Sequence, residues 1–182
     1  MRLGLSSEAA PDASLGDLIR VATRRGLATL ELREGDAHGI APGTSTPDGA
    51  AAAAAVRAAG LTIAGYRTDR LEDADWLARL SRSLAAPVLL AGPVPLTARL
   101  ARGERIKAAG GEVAIVLRGE AAVWDGLVCH AAGLPLAWEA DPRLGPVGTM
   151  AASLLDRFGG ALGHIRLIGG GPEAARQDGA GI

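Results

Sequence analysis

The chain has 182 residues, of which 48% are hydrophobic and only 3% aromatic, and its formal net charge is −1. This length favours one domain, residues 1–182, with a core built from alanine and branched aliphatic side chains. Interspersed charges of both signs argue against binding to nucleic acid or to an anionic membrane. The lone Cys129 excludes an internal disulfide framework, and with neither a membrane-length apolar run nor a signal-peptide pattern we expect a cytoplasmic protein.

Seven short apolar runs, each bounded by glycine, proline or polar residues, predict seven β-strands. In chain order they read RLGLS, LATLELR, LTIAGYR, PVLLAG, EVAIVLRG, LPLAWEAD and HIRLIGG, and they begin at Arg2, Leu27, Leu61, Pro87, Glu112, Leu134 and His164. Most of them are apolar on both faces, which is typical of strands in a parallel sheet covered by helices.

Amphipathic segments lie between the strands and predict six helices. Ser14 begins the first helix and Gly26 ends it, whereas Thr46 and Pro47 begin the second. The other four are marked by apolar stripes at Leu77/Leu80/Leu84, Leu100/Ile106, Val123/Leu127/Val128 and Met150/Leu154/Leu155/Phe158. Strand and helix alternate, so we predict an α/β fold with parallel strands. The strand spacing fits either a (β/α) barrel or an open doubly wound sheet.

Several strand ends carry short sequence motifs. The first strand runs into GLSS, the second ends in ELR before an acidic, glycine-containing loop, the sixth reads LAWEAD, and the seventh reads HIRLIGGG before a closing GAGI. Together these segments resemble the sugar phosphate isomerase/epimerase-like proteins, the xylose isomerase-like TIM barrels. The resemblance implies an incomplete TIM-type barrel of about seven parallel strands and six helices, lacking the last strand–helix units. Because its first and last strands would be open edges, we expect a homodimer.

Candidate site residues follow from the rule that reactive groups in parallel barrels lie where strands end. Glu31 and Arg33 share one face of the second strand and form either a grip for a sugar or phosphate or a structural ion pair. His38, in the next loop, is either a proton-transfer or metal-binding group or a solvated residue. Arg67 ends the third strand and is expected to contact a bound sugar or anion.

The later strands supply a second group of candidates. Arg118 ends the fifth strand, Glu139 lies at the end of the sixth, and His164 and Arg166 share one face of the seventh. Trp138 is either a stacking wall for a ligand or a core residue. Backbone N–H groups that approach an anion are expected in the loop formed by Gly169, Gly170 and Gly171.

The resemblance implies isomerisation or epimerisation of a small hydroxycarbonyl sugar or sugar phosphate. Glu31, Glu139 and His164 are then the catalytic candidates, and arginines hold an anionic group. Metal-dependent proteins of this family gather carboxylates and a histidine around Mg²⁺ or Mn²⁺. Here Arg118 stands where a carboxylate is expected, which predicts a degenerate metal site. A non-catalytic binding or accessory protein on the same scaffold, and a fragment of a longer enzyme, are the alternatives.

Overall fold

The computed structural model describes residues 2–40, 46–69, 73–118, 133–140 and 147–167. The fifth predicted helix, Cys129 and the three glycines Gly169, Gly170 and Gly171 lie outside these ranges. The chain divides into two compact units, Met1–Ile115 and Val116–Ile182, and the division falls within one strand. In the described ranges, no helix combines the length and the hydropathy that crossing a membrane requires.

Strands and helices alternate as the sequence predicts. The strands are β1 (Gly4–Ser6), β2 (Thr29–Arg33), β3 (Thr62–Thr68), β4 (Val88–Leu90), β5 (Val113–Arg118), β6 (Leu136–Ala140) and β7 (Leu162–Leu167). The helices are α1 (Leu15–Arg24), α2 (Thr46–Ala58), α3 (Ala74–Leu84), α4 (Leu96–Ala108) and α5 (Val147–Phe158), and a short 3-10 helix (Ser7–Ala9) follows β1. All seven predicted strands are confirmed, and five of the six predicted helices fall within the described residues.

In the first unit, β1 to β5 pair in parallel and in chain order. Leu30 and Leu32 of β2 are fully buried and belong to one apolar cluster with residues of α1, α2 and α3, namely Leu18, Ala22, Ala53, Val56, Leu80 and Leu84. Because side chains alternate along a strand, Glu31 and Arg33 lie on the opposite face of β2. Burial of the leucines against the helices therefore leaves the face with Glu31 for polar groups.

In the second unit, β6 pairs with β7 in parallel. Glu139 is the register partner of Arg166, and Ala137 is the partner of His164, so these four side chains share one face. Leu154 of α5 is fully buried. The strand pair thus brings a carboxylate and an arginine together.

Two shifts in strand register lie shortly before the candidate carboxylates. The β2–β3 register shifts between Leu30 and Glu31, and the β6–β7 register shifts between Leu136 and Ala137, two residues before Glu139. Such bulges alter the direction of nearby side chains and are over-represented next to active sites. Each shift lies within two residues of one of the two carboxylates.

Candidate functional site

The carboxylate of Glu139 is held between two guanidinium groups of the second unit. Arg118, the last residue of β5, donates a hydrogen bond from Nε to Oε2, and Arg166 donates from Nη1 to Oε1 at 2.5 Å. The side chains of Glu139 and Arg166 are 1% and 12% exposed, whereas that of Arg118 is 64% exposed. Two cations around one anion leave a net charge of +1. Of the three side chains, Arg118 is the one that presents this charge to solvent.

This pairing also restricts what Glu139 can do chemically. Each carboxylate oxygen accepts from a charged donor, and charge-assisted bonds of this kind are among the stronger hydrogen bonds in proteins. The two positively charged donors stabilise the ionised carboxylate, and taking a proton from a ligand would give up part of this attraction. Glu139 is therefore suited to holding arginines in place rather than to acting as a general base.

The divalent cation that the family resemblance implies does not fit this arrangement. Mg²⁺ and Ca²⁺ take about six or more oxygen ligands, whereas the oxygens of Glu139 face guanidinium groups that repel a cation. Across the ranges that the structure describes, no three His, Cys, Asp or Glu side chains lie close enough together to hold a metal ion. The groups around Glu139 are therefore cationic and do not fit Mg²⁺ or Mn²⁺.

Glu31 is a buried carboxylate at the end of β2 in the first unit. Ser6, its register partner at the end of β1, donates from Oγ to Glu31 Oε1 at 2.9 Å. On the other side its partner is Gly65 of β3, where an added Cβ would come within 2.7 Å of the Leu89 side chain. Glycine at this position allows Leu89 to pack on the face that carries Glu31.

Arg33 faces Asp36 in the following loop. Its Nη1 lies 3.9 Å from Asp36 Oδ1. The buried hydroxyl of Ser7 donates to Asp36 Oδ2 at 2.5 Å and accepts a hydrogen bond from the Arg33 backbone N–H at 2.8 Å. Asp36 is thus one carboxylate partner of Arg33, and the two sequence interpretations of the Glu31 and Arg33 pair stay predictions. Ser7 ties the loops after β1 and β2 together.

His38 is buried, so the interpretation of a solvated loop histidine is wrong. Its Nδ1 accepts from the Ile40 N–H at 3.2 Å, which assigns the proton to Nε2, and Nε2 donates to the Arg33 carbonyl at 2.6 Å. Burial lowers the pKa of His38 below its ordinary value of 6.5, against the opposing effects of the Arg33 carbonyl and of the Asp36 charge. Both ring nitrogens are committed to the backbone, so His38 fastens this loop.

Arg67, the remaining candidate of the first unit, lies on the same face as Glu31. Arg67 is buried on β3 and is the register partner of Arg33. Thr68, which follows Arg67, donates from Oγ1 to a carboxylate oxygen of Glu34 just after β2. Polar contacts thus link β2 and β3 at their carboxyl ends.

His164 and Trp138 occupy different faces of the β6–β7 pair. His164 is half-buried on the face that carries Glu139 and Arg166. Trp138 precedes Glu139 directly, so it lies on the opposite face, and it is completely buried. The sequence left open whether Trp138 stacks on a ligand or packs in the core, and its burial fits the core position. In the described part of the chain, its indole N–H meets no hydrogen-bond acceptor.

Four contributors were missing from the candidates drawn from the sequence: Ser6, Ser7, Glu34 and Thr68. Each is a polar residue at the end of a strand or one position beyond it. A search of every strand end for hydroxyl as well as charged side chains would have found them. Gly169, Gly170 and Gly171 lie outside the described residues.

Comparisons with known proteins find similarity in structure. No family model matches the sequence, and no curated protein is significantly similar to it in sequence. The fold is similar to a xylose isomerase domain protein from Planctomyces limnophilus, with 14% identity and a TM-score of 0.61 over 90% of this chain and 72% of that chain. It is also similar to a xylose isomerase domain containing protein from Salmonella typhimurium, with 16% identity and a TM-score of 0.52 over 77% of this chain and 60% of that chain.

A third similar structure is 3-hexulose-6-phosphate synthase from Salmonella typhimurium, with 14% identity and a TM-score of 0.54 over 98% of this chain and 83% of that chain. Of these three structures, the xylose isomerase domain containing protein from Salmonella typhimurium is matched over 60% of its own length, which is less than two thirds. These similarities confirm the predicted fold class, an incomplete TIM-type α/β fold, and the predicted resemblance to xylose isomerase domain proteins. At these identities, the likeness is one of fold.

Proposed function

We propose that this protein binds a small hydroxycarbonyl sugar phosphate, that Arg118 contacts the phosphate, and that Arg166 adds positive charge beside it. The observation that carries the proposal is the net positive cluster around Glu139, with Arg118 mostly exposed at the end of β5. Guanidinium groups match phosphate oxygens in charge and geometry, and TIM-type proteins bind ligands at the carboxyl ends of their strands. That one similar structure is a hexulose phosphate synthase supports this ligand class.

Binding is favoured over metal-assisted isomerisation because both oxygens of Glu139 are engaged by arginines. Isomerisation or epimerisation without a metal is the second candidate function, and Glu31 supports it. Glu31 is a buried carboxylate at the end of β2 that accepts from the Ser6 hydroxyl, and a carboxylate at a strand end can serve as a general base. Exchange of ligand C–H hydrogen with deuterium from the solvent, followed by NMR, tests this candidate. The exchange is expected to disappear in Glu31→Gln, and wild-type protein that catalyses none would contradict catalysis.

The binding proposal is tested by isothermal titration calorimetry with dihydroxyacetone phosphate and with dihydroxyacetone. We expect the phosphate ester to bind and the parent sugar to bind at least about tenfold more weakly. Arg118→Gln should weaken binding of the ester by about tenfold or more, because a charged hydrogen bond is lost. The matched control is Arg157→Gln, which changes an exposed arginine of α5 and should leave the affinity unchanged. Equal affinities for ester and sugar would contradict the proposal.

We also propose that the protein acts as a homodimer in the cytoplasm. Apolar side chains exposed next to the two outer strands support association: Leu3 precedes β1 and Ile165 lies on β7. Exposed strand edges favour pairing with another chain. Analytical ultracentrifugation at micromolar protein tests the dimer, and a monomer mass under those conditions would contradict it.

A further inference from the structure

The cluster around Glu139 points to phosphate binding without a metal ion, an inference that rests on the function proposed above. We infer that Arg118 and Arg166 supply the fixed positive charge that the resemblance assigns to a divalent cation. In this inference, Arg118 bridges Glu139 and the phosphate through different nitrogen atoms, and Glu139 is a positioning residue.

Arg118, Arg166 and Glu139 together carry a net positive charge. Two guanidinium groups together carry the charge of one divalent cation, and each lies in direct contact with the carboxylate of Glu139. A cation bound to that carboxylate and the arginine pair bound to it therefore leave the same net charge of +1. In both cases the group beside the ligand is net positive, which favours an anion.

The two arginines have different roles. Arg166 and Glu139 are almost completely buried, whereas most of the Arg118 side chain is exposed. Burial strengthens the attraction between the paired groups, because the local dielectric constant is lower than in water. Arg166 therefore acts mainly by fixing Glu139 and adding charge, and Arg118 makes the contact with the ligand.

Glu139 fixes the orientation of Arg118. Its Nε donates to Glu139, and the guanidinium group is planar and rigid, so a fixed Nε also sets the direction of the two terminal nitrogens. Those nitrogens can donate a pair of parallel hydrogen bonds to phosphate oxygens. The ammonium group of lysine can reach Glu139 and the phosphate only through the same nitrogen, so it cannot donate the parallel pair while Glu139 holds a separate nitrogen. The inference therefore distinguishes Arg118 from a simple positive charge.

Arg118→Lys tests the bridge while keeping the net charge unchanged. The affinity for dihydroxyacetone phosphate should fall about tenfold, since one ammonium group cannot contact both Glu139 and the ligand in the arginine geometry. Arg157→Lys on α5 is the matched control and should bind as the wild type does. The exposure of Arg118 makes folding of the variant the expected outcome, and circular dichroism checks it. Wild-type affinity in Arg118→Lys would overturn the bridge and leave the proposed binding function standing.

Titration of the wild-type protein in EDTA and in excess Mg²⁺ tests the replacement of the cation. The affinity for dihydroxyacetone phosphate should be the same in both buffers. Binding that requires Mg²⁺ would overturn the inference while preserving the proposed function. Absence of binding in both buffers would instead contradict the proposed function, so the two failures are distinguishable.

The positioning role of Glu139 has its own test in the wild-type protein. Exchange of the Arg118 Nε–H with water, measured by NMR, should be slower than that of the Nε–H of Arg24, an exposed arginine of α1, because the first is held by a charge-assisted hydrogen bond. Equally fast exchange at both sites would overturn the positioning role. This measurement needs no substitution in the cluster.

Discussion

Trp138 is the largest fully buried side chain among the described residues. Its indole N–H has no acceptor in that part of the chain, and an unpaired buried donor costs about 1–3 kcal/mol. Its volume in the core, rather than its polar group, therefore accounts for its contribution to stability. Because Glu139 points to the other face of β6, we expect Trp138 to contribute nothing to ligand contact.

Replacing Trp138 separates these contributions. Trp138→Phe removes the unpaired N–H together with part of the ring. Removing the buried N–H stabilises the protein, whereas losing part of the ring destabilises it, so the two effects oppose each other. We expect the free energy of unfolding to change by less than about 1–1.5 kcal/mol, against a loss of about 3–5 kcal/mol for Trp138→Ala. Urea denaturation of both variants measures the difference. A loss in Trp138→Phe as large as that in Trp138→Ala would show that the indole N–H is bonded.

Single residues of the cluster were predictable, but their partners were not. Arg118, Glu139 and Arg166 stand at predicted strand ends, where polar residues are expected to be functional. Their contacts depend on which residues of neighbouring strands lie side by side, and a shift of one residue turns a side chain to the other face. The register shift between Leu136 and Ala137 is of this kind, and the apolar pattern of β6 does not reveal it.

Helices and strands followed the sequence closely because their signals are local. The side chain of Ser14 accepts from the Asp17 N–H at 3.2 Å and caps α1 as predicted. Asp73 caps α3 in the same way, by accepting from the Trp76 N–H at 2.8 Å. The loop after β2 was less predictable, because the burial of His38 depends on packing that its glycine-rich sequence does not indicate.

The loop from Glu34 to Ile40 is held by His38 in its neutral form. Nδ1 accepts from the Ile40 N–H, and the Ile40 carbonyl accepts from the buried Tyr66 hydroxyl at 3.1 Å. Protonation of Nδ1 would replace the acceptor with a donor and break the first of these bonds. Asp36 is the charged group that acts on the ring, and it favours the protonated form less than burial opposes it.

This arrangement predicts a loss of stability in acid. Since the pKa of His38 is lower in the folded protein than its ordinary value of 6.5, the unfolded chain binds the proton first as the pH falls. The stabilisation that neutral His38 gives the folded protein is fully present above about pH 6.5. Below that pH the free energy of unfolding falls by at most about 1.4 kcal/mol per pH unit, until the folded pKa is reached. Denaturant unfolding at a series of pH values measures it.

Two variants control this measurement. His38→Gln cannot titrate, so its disadvantage relative to the wild type should shrink as the pH falls below about 6.5. His164→Gln retains His38 and should keep the wild-type loss in acid. A constant difference between wild type and His38→Gln across this range would show that His38 is not the group responsible.

At the scale of the whole chain, the alternation of seven strands with helices predicted an α/β fold with parallel strands, and the family resemblance decided between a TIM-type barrel and an open sheet. The similar structures confirm this fold class at 14–16% identity, because binary pattern and connection lengths decide such a fold more than individual residues do. Function is different, since one scaffold hosts many reactions and the site decides among them. Here the decisive feature is a carboxylate surrounded by arginines.

A crystal structure of the protein with dihydroxyacetone phosphate, grown in EDTA, tests the metal-free anion site most directly. We predict phosphate oxygens at hydrogen-bond distance, about 2.7–3.2 Å, from the terminal nitrogens of Arg118, with Nε still bonded to Glu139. A phosphate bound elsewhere, or an Arg118 that leaves Glu139 when the ligand binds, would contradict it.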